Sequence, residues 1–102
     1  MQPHIYGWTI QMSSEHDEII ALQAVGYILQ QDALRDRFMA LSGVDVDDLR
    51  GSLGDASTLA SVLEFLINNE PDLIDTADAL EVKPETIVKS WRALGGGQGQ
   101  EW

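Results

Sequence analysis

The run DASTLASVLEFLINNEP, Asp55 to Pro71, reads as one amphipathic helix with its start and stop signals attached. Leu59, Val62, Leu63 and Leu66 recur at the three- and four-residue spacing that gathers side chains on one helix face, while Ser57, Ser61, Glu64 and Asn68 fall on the other. Asp55 can accept hydrogen bonds from the orphan N–H groups of the first turn, and Pro71 suits the opening of the next helix, where a missing N–H costs little.

The same grammar repeats on both sides of this run. Upstream, Ser13 or Ser14 can cap a first helix whose opening turn carries Glu15, Asp17 and Glu18 and whose apolar residues are Ile19, Ile20, Leu22, Val25, Ile28 and Leu29. His16, Gln23 and Gln30 lie seven apart and leave only a narrow wet stripe, which predicts a central helix packed on two sides. Asp32 can cap a second helix with Leu34, Phe38 and Leu41 inward, and Gly43 suits the left-handed stop after it. Asp45 caps a short third helix with Val46, Leu49 and Leu53 inward, ending near Gly54. Downstream, Pro71 opens a fifth helix with Leu73, Ala77 and Leu80 on one face, and Pro84 a sixth with Ile87, Trp91 and Leu94 inward. The one candidate strand is the short alternation from Tyr6 to Ile10. The fold class is therefore all-α, a compact bundle of about six short helices.

The halves also echo each other. Tyr27 to Ala33 matches Phe65 to Pro71 class for class at an offset of 38 residues, and two compensating single-residue gaps extend the match to Val44 with Val82 and Leu49 with Ile87. This is the pattern of two pseudo-repeated three-helix units; any two amphipathic helix-turn-helix segments also align when gaps are placed freely. The organisation expected is an N-terminal segment over 1–12, a helical domain over 13–95 and a flexible C-terminal tail over 96–102. Ile5, Tyr6, Trp8 and Ile10 are too apolar for a free segment and are expected to fold back on the bundle, a docking segment being the alternative.

Composition removes whole classes of function. Of 102 residues, six are Lys or Arg and seventeen Asp or Glu, a formal charge of −11. At this length folding buries roughly 60 to 70% of the unfolded chain's surface, enough for one core. Absence of Cys excludes a disulfide framework, a thiolate metal site and a Cys nucleophile. No stretch is apolar for long enough to span a bilayer, and no secretory leader is visible, so a cytoplasmic protein is expected.

No catalytic constellation emerges. An EF-hand loop from Asp45 would need a ligand at Leu49, Gly at Arg50 and Glu at Ala56, and fails at all three. His4 and His16 stand twelve apart with no partner at metal-ligand spacing. The terminal glycines match neither a dinucleotide-binding nor a P-loop pattern. The expectation is a non-enzyme without metal or cofactor, acting as a protein-binding adaptor or regulator. Its candidate partner-binding residues are Asp72, Asp75, Asp78 and Glu81, an acidic face suited to a basic partner protein.

The alternative is a helix-turn-helix nucleic-acid binder over residues 73–94. Ala79-Leu80-Glu81-Val82-Lys83-Pro84-Glu85-Thr86-Ile87 resembles the turn and opening of a bacterial recognition helix, with Lys83, Lys89 and Arg92 as candidate contacts and Glu85, Thr86 and Ser90 beside them on its exposed side. Charge opposes it: Glu70 to Leu94 holds six acids against three bases, and a phosphate backbone needs the reverse.

Residues from about Glu15 to Gly95 also resemble a small all-helical bacterial family of unknown function. The residues that carry the likeness are Ala21-Leu22-Gln23-Ala24, the turn Phe38-Met39-Ala40-Leu41-Ser42-Gly43, Asp47-Asp48-Leu49-Arg50, Leu59 to Leu66, and Trp91-Arg92-Ala93-Leu94-Gly95. The resemblance implies an all-helical fold and a bacterial setting. It implies no activity and no site residue.

Overall fold

A computed structural model describes residues 2–96, with side chains from Glu15 onward. Every regular element among them is helical: α1 (Gln2–Gln30), α2 (Asp32–Ser42), α3 (Val46–Gly51), α4 (Ala56–Ile67), α5 (Glu70–Leu80) and α6 (Pro84–Ala93). The side chains of Ile5, Tyr6, Trp8 and Ile10 lie outside the described residues, as does the tail from 97 to 102.

The expectation for residues 6–10 is corrected. They belong to α1, not to a strand, and the helix starts at Gln2 instead of at Ser13 or Ser14. Pro3 is tolerated in a first turn, and nothing stronger than Gly7 interrupts the helix between there and Ser13. Glu15, Asp17 and Glu18 are therefore mid-helix residues, not first-turn acids.

α1 is the spine of the bundle and touches α2, α4, α5 and α6; its tightest neighbours, α4 and α6, also pack on each other. Leu59, Val62, Leu63 and Leu66 of α4 face inward as their spacing predicts, against Ile20, Val25 and Ile28 of α1 and Ile87 of α6. Each such side chain contributes about 1.5–3 kcal/mol by leaving water. Ile19 and Leu22 are left on the outer side of α1, about half exposed.

Among α2 to α6 one cap residue makes a side-chain cap hydrogen bond, Asp45; Asp55 holds the cap position of α4 without one. Asp45 accepts from the Asp48 N–H at 2.8 Å, which fixes the start of α3. α3 stops at Gly51, earlier than Gly54, because the Ser52 hydroxyl donates to the Asp48 and Leu49 carbonyls at 3.0 and 3.2 Å. Gln31, not Asp32, takes the extended cap position before α2, and Asp32 is the acid of the first turn. Asn69 precedes α5 and Lys83 precedes α6, with Pro71 and Pro84 in the first turns as expected.

Two corners each turn on a left-handed residue but close with different hydrogen bonds. Gly43, after α2, is left-handed at φ 74°, and its N–H donates to the Met39 carbonyl at 2.9 Å. Glu81, after α5, is left-handed at φ 61°, and the next N–H, that of Val82, donates to the Ala77 carbonyl at 2.9 Å. Beyond these corners the paired elements differ: α1 has 29 residues against 12 in α4, and α3 has 6 against 10 in α6.

Candidate functional site

α2, α3 and α4, with the Gly43 corner between the first two, form the sides of a groove of about 610 Å³. Its floor is aromatic. Phe38 of α2 and Phe65 of α4 meet edge to face, ring centroids 5.1 Å apart and planes at 74°. The Arg37 guanidinium stands 5.5 Å from the centre of the Phe65 ring and also pairs with Asp72 of α5, so one cation closes the end of the groove against two elements. α4 contributes Thr58, Ser61 and Phe65, with Asn68 at its C-cap; they are spaced three, four and three residues apart, which is one face of a helix.

Leu41 stands on the rim with 72% of its surface exposed, the most exposed large hydrophobic side chain among the described residues. The expectation placed it in the core with Leu34 and Phe38. Those two are buried; Leu41, one turn further on, is exposed in the last turn of α2, just before the Gly43 corner. Helical period assigns a face but does not say how far the neighbouring helix reaches.

The model of a family of proteins of unknown function, DUF3572, matches residues 14–97. The chain belongs to the DUF3572 family. Neither a curated protein nor a solved structure matches it. The DUF3572 span takes in the whole groove and all helices from α2 to α6.

The acidic residues singled out on α5 of this DUF3572 domain do not form one cluster. Asp72 turns inward to Arg37 and its side chain is only 18% exposed. Asp75, Asp78 and Glu81 stay exposed around the half-exposed Ile74. At 100° per residue, Asp72 and Asp78 project 120° apart.

The helix-turn-helix candidate has its corner but a shallow reading face. Lys83, Lys89 and Arg92 are exposed, as is Glu85. Ser90, expected beside them, is 1% exposed and donates to Asp17 Oδ1 at 2.9 Å, which ties α6 to α1. α6 packs against α1, α4 and α5, so only a narrow stripe remains. No group of three or more His, Cys, Asp or Glu side chains is placed to hold a metal ion among the described residues, and no described helix is long and apolar enough to cross a membrane.

Sequence reasoning missed Leu41, Arg37 and Phe65 as site residues. Leu41 carries the signature of a core residue, and the positions of Arg37 and Phe65 matter only because α2 and α4 flank one groove. No local signal marks that placement.

Proposed function

We propose that this DUF3572 protein is a noncatalytic module of the cytoplasm that binds another protein, as an adaptor or regulator, through the groove between α2 and α4. The observation that carries the reading is Leu41, 72% exposed beside a groove of about 610 Å³ floored by Phe38 and Phe65. A lone exposed leucine is ordinary; one at the rim of an aromatic-floored groove is a typical anchor position. Covering its side chain is worth about 1.5–3 kcal/mol at full burial, a gain available only to a bound partner. Of the groove hydroxyls, that of Ser61 is engaged, donating to the Ser57 carbonyl at 3.0 Å.

The α5–α6 corner favours the nucleic-acid reading in geometry alone. Charge weighs against it, since phosphate binding draws its energy from cations that here are outnumbered.

Affinity capture from the native lysate, with wild-type protein and the Leu41→Glu and Lys89→Ala/Arg92→Ala variants side by side, tests the reading. A protein retained by wild type and by the α6 variant but lost with Leu41→Glu is the expected outcome. Recovery of nucleic acid that disappears with the α6 variant contradicts it.

A further inference from the structure

We infer that the groove takes a basic amphipathic helix from the partner protein, its apolar side on Leu41 and Phe65 and a lysine or arginine at Glu64. The inference rests on the reading of the groove as a docking site and adds the chemistry of its occupant. The groove follows α4 from Thr58 to Asn68, ten residues or about 15 Å along the helix axis, the length of nearly three helical turns. Apolar groups at i, i+3, i+4 and i+7 of a helix are the usual complement of such a trough between helices.

Charge then selects the kind of helix. The segment that builds the groove, residues 32–69, carries seven acids and three arginines. Arg35 is engaged by Asp32 and Asp36 at 3.4 and 3.5 Å, and Arg37 by Asp72. Of the two charged residues that line the groove, Arg37 and Glu64, only Glu64 is left without an ion-pair partner among the described residues; Asp45, Asp47, Asp48 and Asp55 stand outside the lining, at the starts of α3 and α4. Glu64 lies within the groove, exposed and without an ion-pair partner among the described residues, so a cation seated there meets a carboxylate beside an apolar floor. The whole chain, at −11, steers basic partners inward and repels a second copy of itself.

The test uses the full chain, ¹⁵N-labelled, and two synthetic helical peptides of roughly 14 residues, long enough to span the groove with a turn to spare. Both carry leucines at i, i+3, i+4 and i+7; one has lysines flanking this face, the other glutamates. The lysine peptide is expected to shift the amide resonances of Leu41, Glu64 and Phe65 and to bind at least about tenfold more tightly than the glutamate peptide. Glu64→Lys should erase that preference, and Leu41→Ala, at an exposed site that spares the fold, should weaken the lysine peptide several-fold. Equal binding of both peptides in the groove overturns the basic occupant while leaving the docking reading standing. A lysine peptide that maps to α5 and α6, or binds equally well to Leu41→Ala, overturns the docking reading itself. Dimerisation of the free chain, abolished by Leu41→Glu, overturns the inference in favour of a second copy as occupant.

Discussion

Glu81 holds φ 61° and ψ 41°, the left-handed region that a residue with a Cβ enters at a cost of about 1–2 kcal/mol. It does so because the corner requires it: its own N–H donates to the Asp78 carbonyl at 3.1 Å and that of Val82 to the Ala77 carbonyl, which closes α5 and frees the chain to start α6 at Pro84. Glu81→Gly should therefore raise stability by about 1 kcal/mol, read as a higher urea midpoint at unchanged m-value. Unchanged or lower stability would mean that the Glu81 side chain supplies an offsetting interaction. The left-handed stop at Gly43 is legible in the sequence because only glycine adopts this conformation freely. At Glu81 the residue type conceals it. Leu41 is the opposite case: its type and spacing are those of a core leucine, yet it stands exposed in the last turn of α2.

Among elements, α4 was the most legible and α1 the least. Four inward positions of α4 follow from spacing alone, since a helix with an apolar face on one side and serines on the other has one way to face a core. The start of α1 was misplaced because Ser13, Ser14 and the acids after them imitate a cap, and a cap signal does not exclude an earlier start. Asp17, read there as dipole chemistry, is instead the acceptor for the buried Ser90 hydroxyl. α2 and α3 differ from the rest in how they are held. α2 leans on α1 and is linked to α5 by the Arg37–Asp72 pair, and α3, with 6 residues, has one buried side chain, Leu49. Elements with few buried contacts open first. Amide hydrogen exchange should show α3 and the C-terminal half of α2 exchanging well before α4 and the Val25–Leu29 stretch of α1. Uniform protection across all six helices would contradict a loosely held groove wall.

At the scale of the molecule, the net charge of −11 divides into two parts with different physical roles. Asp32, Asp45, Asp47, Asp48, Asp55 and Glu85 stand at helix starts, where they meet the positive end of the helix dipole. The fold class was readable because such punctuation recurs along the chain and leaves no room for a sheet. The groove was not, because it is made by the relative placement of α2 and α4, which depends on contacts distant in sequence. The acidic face on α5 drew attention for its charge density, yet its first member, Asp72, is spent on Arg37. What distinguishes this fold functionally is the proposed docking of another protein in the α2–α4 groove, with Leu41 on its rim. Placing a benzophenone side chain at position 41, and separately at position 92 on α6, and irradiating intact cells tests it directly. The expected result is a defined protein adduct from position 41, lost on adding Glu64→Lys, and none from position 92. Adducts from position 92 with position 41 silent would contradict it.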